Sequence, residues 1–442
     1  MDSERGRIMD FDLAPEYEKL IATVREFGEQ HFTCEAVRQW QHDAGLPDEV
    51  VRDFVNLDFN GFGVIHRRDH VTYDTMAQTL VLEELARVSG AALPFPNDFL
   101  NLQIMEEFAG SGQFEFVRTG YQTEGRLAFA LAISEPEGGS DTMSMRTSAR
   151  TIDGRLVLNG TKTFVNNGEY APYLLVAAID RDASTGKHPA LSFWLVPHDL
   201  PGIKVYPVQK IGQSILPFST VVFENVRLDE PYRLHGKQAG FPQLFHLFEI
   251  GRLFSCATAL GLAQAAMEDA VAYARTRTAF GTQIANFQQI EQMLTDMEVK
   301  LDNMRNSVYK NAWKLDRGCG DRLGVALMKR YVPEAATEVA SDAMQIFGGR
   351  GYTRNERVSS IWQDCRGFQM PRGPTRSWCT SRHRSSWRST RRARSRSRSW
   401  PLRRKTEKEP CRSQDPKSAG LFFVRSSIDS LCTHAKYECL PI

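Results

Sequence analysis

The chain has 442 residues, 42% hydrophobic and 24% charged, a globular composition too long for one small core, so two or three domains are expected. The formal net charge of +2 marks the chain for neither nucleic acid nor an anionic surface. The opening MDSERGRIMDFDL has no apolar h-region and nowhere do about 18 apolar residues run together, so neither a signal peptide nor a membrane span is expected.

Residues 13–120 read as helical. Leu20, Ile21, Val24 and Phe27 form an apolar stripe beside charged faces, and a second helix is expected over 76–88. Helix dominance stops near Gly125, and from about 127 to 233 the period becomes two. Asn159-Gly160, between Arg155–Leu158 and Lys162–Val165, predicts a tight type I′ hairpin turn. Further short β-type runs are Tyr173–Ile179, Leu191–Val196 and Ser219–Phe223. Helices return at about 240. Ile290, Met293, Leu294, Met297, Leu301, Met304 and Val308 recur at bundle spacing, with the methionines read as core filling. Pro333 is expected to interrupt or kink the helix that follows.

After Pro371 the composition turns to Arg, Ser, Thr and Trp, with no Asp or Glu between Arg372 and Arg404. An Arg/Ser-rich nucleic-acid-binding tail and a solvated disordered segment both fit. A frameshift fits better. Residues 374–390 can be encoded by codons that, read from each third base, give DEIMVYIA, two residues, then QLVEEY, which has helical periodicity. Sequencing the gene decides it. Of the eight cysteines, which include no C-x-x-C pair, four (Cys379, Cys411, Cys432, Cys439) lie in this tail; the others read as reduced cytosolic thiols or small core residues.

Four motifs are candidates for chemistry. Ser134-Glu135-Pro136-Glu137-Gly138-Gly139-Ser140-Asp141 follows the strand-like run Leu127–Ile133. It is either an ordinary turn or a loop whose backbone approaches a flat ligand, and residue chemistry alone favours the turn. Phe164 and Asn166 follow in the β region, where the ring either packs the core or stacks on a ring system. In Arg277-Thr-Ala-Phe280-Gly281, followed by Phe287-Gln288, Gly281 reads as a helix C-cap and Arg277 as a complement to the dipole or a grip on phosphate. Gln345-Ile-Phe-Gly348-Gly349-Arg-Gly351 carries more glycine than a cap requires, which suggests close backbone approach to something. No Rossmann fingerprint, P-loop, nucleophile elbow or zinc pattern is present.

In order and spacing these motifs resemble the acyl-CoA dehydrogenase family over residues 9–371. SEPEGGSD is similar to the family's T-E-P-x-A-G-S-D signature, QIFGGRGY to Q-x-x-G-G-x-G-[YF], and RTAFG with FQ to R-x-x-F-G…Q. Within it, MDFDL and ERVSSIWQDCRGFQ look closest to crotonobetainyl-CoA reductase-like members, which brings in fatty-acid or carnitine metabolism. The resemblance implies an α+β multidomain fold: an all-α domain (1–125), a β-barrel-like domain (126–235), a four-helix bundle (236–371), then the basic tail (372–442). It also implies FAD, an acyl-CoA substrate, an electron-transfer flavoprotein as electron partner, a cytoplasmic homotetramer, and no metal. Carried over by position, Leu131, Ile133 and Ser134 line the isoalloxazine, Phe164 and Asn166 approach the flavin, and Ser140 lies at the acyl-CoA entrance. Arg277, Phe280, Gln288, Gln345, Gly348 and Gly349 reach the FAD of a neighbouring subunit, while Glu249 and Arg252 contact the CoA half.

The chain departs from the family at the catalytic base, whose usual Glu position is Arg372, a cation that accepts no proton. Some members place Glu just before the matched Arg252, but that residue is Gly251. Glu249 lies two residues earlier, about 200° away around a helix, and reads better as a CoA contact or surface charge. HRRDH in 60–75 also replaces the family's loop, which puts the acyl-binding wall in doubt. Three readings follow: an acyl-CoA dehydrogenase or its reverse, an enoyl-CoA reductase; a flavin monooxygenase or oxidase of the same fold; and an inactive FAD-fold subunit or basic-tailed nucleic-acid binder.

Overall fold

A computed structural model of the chain describes residues 12–57, 74–110, 112–116, 119, 130–185, 188–229, 232–234 and 241–371. The tail from Arg372 on, the HRRDH run (66–70) and Gly125 lie outside these residues.

Helices come first, among them α1 (Pro15–His31), α2 (Cys34–Asp43), α3 (Asp48–Asn56), α4 (Thr75–Ser89) and α5 (Phe95–Phe108). Pro15 opens α1 and Glu16 and Glu18 sit in its first turn, where they favour the dipole. The expected stripe is real at Leu20, Val24 and Phe27, which are buried. At Gly28 a Cβ would lie 2.7 Å from Val88 Cγ1, so a larger residue would push α1 off α4. Helix α4 starts at Asp74, whose side chain accepts the Ala77 N–H (2.8 Å), and stops at Gly90 (φ 61°) in the left-handed conformation only glycine adopts freely.

Because α4 is buried almost all round, its charges are paired. Glu84 meets Arg25 (2.7 Å) and Arg87 (2.5 Å), and Arg87 also meets Glu268 (3.0 Å). Burial opposes ionisation of Glu84, but the two arginines outweigh it and hold the carboxyl below its ordinary value. Glu83 faces the Arg305 Nε at 3.8 Å and a Tyr309 contact, and desolvation outweighs them and pushes it up to about 7.

The sheet comprises β1 (Ala130–Ala132), β2 (Ser148–Ile152), β3 (Arg155–Asn166), β4 (Tyr173–Thr185), β5 (His188–Pro197), β6 (Ile203–Val208) and β7 (Phe218–Leu228). One edge of β4 pairs in parallel with β1 and, further along, with β2, while β5 pairs antiparallel with β4; β3, β7 and β6 follow beyond β2. Side-chain alternation divides β4 cleanly. Leu174, Val176 and Ala178 enter the core inside the curled sheet with Trp194, Val221 and Phe223, whereas Leu175, Ala177 and Ile179 join the helical core. Both faces are covered, which explains why β4 is apolar at consecutive positions.

The hairpin expected at Asn159-Gly160 is not there. The turn is Asp153-Gly154 (φ 50° and 71°), six residues earlier, in the β2–β3 connection, and β3 runs on through Gly160. Asn159 instead accepts from the Asn225 N–H (2.8 Å) at a bulge on β7. Gly160 is required because a Cβ there would lie 2.4 Å from Thr147 Oγ1. Both dipeptides carry the same left-handed preference, so local chemistry alone does not choose between them.

Helix α6 (Phe241–Thr276, 36 residues) is the spine of the C-terminal half, followed by α7 (Gln288–Asp316), α8 (Arg322–Phe347) and α9 (Arg357–Gly367). Its Phe248–Thr276 stretch is long and apolar enough to cross a bilayer, but 89% of its most apolar 18 residues are buried inside the protein. Leu253, Ala257, Leu260 and Ala263 are fully buried among α4, α7 and α8. A Cβ on Gly261 would lie 2.0 Å from the Glu83 carbonyl, so glycine sets the α4–α6 distance. Met297, Leu301, Met304 and Val308 fill the core along α7, and α8 continues through Pro333. Gly281 is not a helix cap: Phe280 (φ 52°) and Gly281 (φ 82°) turn a short hairpin, β8 (Thr278–Ala279) with β9 (Thr282–Gln283), between α6 and α7.

Sheet and helices are locked together by Asp364 of α9. Its fully buried carboxylate accepts the Ala92 N–H (2.8 Å) and the Gln213 N–H, and burial pushes it up to about 6.

Candidate cofactor and substrate site

Alternation along β1 sets the first part of the site. Ala130 and Ala132 face the interior of the sheet, so Leu131 and, beyond the strand, Ile133 pack against the helical core. The following residues make a tight turn in which Glu135 and Gly138 exchange backbone hydrogen bonds (3.0 and 3.1 Å). Ser134 is half-buried and Ser140 exposed.

The turn is fixed from beneath. Lys162, with no exposed side-chain surface, donates to Glu135 Oε1 (2.9 Å) and to the Ile133 carbonyl (3.0 Å). The Glu135 carboxylate also accepts the N–H groups of Arg146 (2.8 Å) and Thr147 (2.9 Å). Burial lowers Lys162 to about 8; burial also opposes ionisation of Glu135, but Lys162 and the Thr147 and Arg146 donors hold its carboxyl below the ordinary value. The next residue, Thr163, donates its N–H to the Ser134 carbonyl (2.9 Å).

Phe164 comes next. Between Lys162 and Val165 β3 carries one residue more than β7, and this bulge puts Phe164 at φ 56°, with its side chain 61% exposed. A left-handed Phe is costly in an ordinary strand, and bulges re-aim side chains beside functional sites. Asn166, two residues on, has a buried Oδ1 with no hydrogen-bond partner. An outward aromatic face beside an unused buried acceptor suits a flat, donor-bearing ring, so these residues fit a flavin.

The second group gathers at one end of the helices. Tyr273 of α6 stacks on Phe347 of α8 (4.2 Å, 13°), and the Arg350 guanidinium sits 5.8 Å from the Tyr273 ring centroid. That contact puts the Arg277–Gln288 connection beside Gln345, Gly348 and Gly349. Arg277, Gln288, Gln345 and both glycines are exposed, and Phe280 is 99% exposed at the hairpin tip. A Cβ on Gly348 or Gly349 would meet nothing within 4 Å, whereas one on Gly351 would meet the Met344 carbonyl at 2.5 Å. The close approach inferred from these glycines is therefore internal at Gly351. No hydrogen bond, ion pair or ring contact joins this group to the β1–β3 group among the described residues.

The third group is on α6. Glu249 pairs with Arg322 at the start of α8 (2.8 Å), and Arg252 is 5% exposed, its guanidinium 5.8 Å from the Phe248 ring centroid. Sequence reasoning missed the Lys162–Glu135 pair. Its signal was a lysine inside the β-type run Lys162–Val165, two residues after Gly160.

Three family domains match the chain: acyl-CoA dehydrogenase N-terminal domain over residues 14–113, middle domain over 130–226 and C-terminal domain over 238–382. A protein of Escherichia coli strain K12 named Probable acyl-CoA dehydrogenase YdiO is 36% identical over 358 residues, spanning 81% of this chain and 93% of that protein. Among solved structures, an acyl-CoA dehydrogenase from Slackia heliotrinireducens is 57% identical with a TM-score of 0.80, covering 87% of this chain and all of that one. A glutaryl-CoA dehydrogenase from Mycobacterium smegmatis in complex with FADH2 shares the fold (TM-score 0.75) at 22% identity, covering 85% of this chain and 95% of that one.

Proposed function

The chain belongs to the acyl-CoA dehydrogenase family, and from that premise we propose that it is an FAD-dependent oxidoreductase acting on the Cα–Cβ bond of an acyl-CoA thioester. The direction is dehydrogenation or the reverse enoyl-CoA reduction. The observation that carries the reading is the outward Phe164 at its left-handed bulge, beside the unpartnered Asn166 Oδ1 and the clamped Ile133–Ser134 turn.

Leu131 and Ile133 would exclude water from one side of the ring, Phe164 would offer it a flat surface, and Asn166 would accept from a ring donor. When bound, FAD supplies the acceptor for the β-hydrogen of the substrate. Arg277, Phe280, Gln288, Gln345, Gly348 and Gly349 would hold the FAD of a neighbouring subunit, and the fully exposed Phe280 supports that assignment. Ser140 would stand at the substrate entrance, and Glu249 and Arg252 would contact the CoA half. The ion pair between Glu249 and Arg322 supports anchoring rather than proton abstraction for Glu249.

We extend the proposal to an electron-transfer flavoprotein as electron partner, a homotetramer and a cytoplasmic setting. The frameshift reading of the tail belongs to it as well, carried by the alternative frame over residues 374–390. A flavin oxidase or monooxygenase is the second reading, favoured by Arg372 at the usual position of the base. Mixing purified holoprotein with acyl-CoAs of differing chain length, without oxygen, tests both. Bleaching of the oxidised flavin band by an acyl thioester, or return of the band when an enoyl thioester is added to the pre-reduced protein, supports the dehydrogenase, and neither change with any thioester refutes it.

A further inference from the structure

We propose that the buried Lys162–Glu135 pair is a positioning device for the flavin: it clamps the Ile133–Ser134 peptide so that the Ser134 N–H is presented as a polarised donor to the ring, raising the ring's affinity for electrons. This rests on the FAD reading above.

The clamp is built from one side. Lys162 and Thr163, adjacent on β3, donate to the Ile133 and Ser134 carbonyls (3.0 and 2.9 Å), so both peptide planes flanking Ser134 are fixed. In a trans peptide the N–H points opposite its carbonyl, so the Ser134 N–H is directed away from Lys162. It has no acceptor among the described residues. The next β3 residue, Phe164, turns its ring outward. A donor, a fixed peptide and an aromatic surface therefore occur within three consecutive residues of one strand and the turn bonded to it.

Charge explains why a lysine is buried here. An apolar residue would fill this position of a β-core without the desolvation penalty of an ion pair. The pair is neutral overall, but its positive end rests on the Ile133 carbonyl and its negative end on the Arg146 and Thr147 N–H groups. A cation on a peptide carbonyl strengthens the N–H at the other end of that peptide, and low local dielectric enlarges the effect. Electron density on a reduced ring is what such a donor favours.

The test compares wild type, Lys162→Met, Glu135→Gln and Lys329→Met as FAD-loaded proteins. Lys329 is an equally buried lysine bonded to the Phe368 carbonyl and serves as the control for losing a buried charge. For Lys162→Met the FAD dissociation constant rises about tenfold, and reduced flavin is disfavoured over oxidised about tenfold, a fall in potential of roughly 30 mV for two electrons. Glu135→Gln shifts the potential the same way, because without its carboxylate burial drives Lys162 neutral. Lys329→Met lowers melting temperature and leaves the potential unchanged. A folded Lys162→Met or Glu135→Gln protein with wild-type potential and spectrum overturns the inference. Should neither fold, Lys162→Gln, which keeps a donor without the charge, is measured in the same way, and a wild-type potential and spectrum in it overturn the inference. Wild type that binds no FAD refutes instead the reading underneath.

Discussion

Asp364 offers the sharpest test of how the two halves of the molecule are joined, because two opposed effects have predictable and different pH dependence. Replacing it with Ala orphans the buried N–H groups of Ala92 and Gln213. At about 1–3 kcal/mol for each stranded donor, the loss is roughly 2–6 kcal/mol. Against this, the carboxyl is pushed up from 3.8 to about 6 by burial, so its ionised form is unfavourable in the folded protein, by roughly 3 kcal/mol in full. The folded value lies above the unfolded one, so the stability Asp364 contributes through its proton is present below pH 4 and lost as pH rises through 6. Ala removes both effects. The substitution should therefore cost about 1–2 kcal/mol more at pH 5 than at pH 8, where the relieved charge offsets part of the damage. Urea unfolding of the apoprotein at the two pH values, followed by tryptophan fluorescence and circular dichroism, measures it. Equal cost at both pH values, or a larger cost at pH 8, refutes the reasoning.

Other perturbations separate packing from binding. Gly261→Ala drives a methyl into the Glu83 carbonyl and should cost about 2 kcal/mol or more, read as a lower urea midpoint. Glu83 is pushed up from 4.5 to about 7 by burial, so its contribution fades as pH rises from 4.5 through 7; Glu83→Gln should flatten the fall in melting temperature over that window. Phe164→Ala should leave apoprotein stability within about 0.5 kcal/mol, since the ring is outward, yet weaken FAD about tenfold by calorimetry. Arg277→Ala should likewise spare the fold and weaken FAD about tenfold, and only in the assembled protein.

What the sequence discloses follows the range of each interaction. The α1 stripe of Leu20, Val24 and Phe27 and the α7 series from Met297 to Val308 repeat every turn, so local periodicity is enough to find them. Asn159-Gly160 and Asp153-Gly154 carry the same turn preference, and only the approach of Thr147 to Gly160 and the bulge at Asn225 decide between them. These are contacts across strands. Phe164 and Asn166 were legible as candidates from their place in a family motif, but the left-handed bulge that turns Phe164 outward arises from the β3–β7 register. Glu249 carried no sign of its partner Arg322, which the α6–α8 packing brings to it from another helix. The Lys162–Glu135 pair was hidden for the same reason: each residue looks ordinary until the β1–β2 loop folds over β3.

The central claim is that the β1 turn, the Phe164 bulge and the helical groups jointly hold FAD. Titration of FAD into the purified, flavin-stripped protein, followed by quenching of flavin fluorescence, tests it most directly. The account predicts saturation at one FAD per chain and a yellow protein that keeps its flavin through gel filtration. Unquenched fluorescence and a colourless protein at every FAD concentration would contradict it.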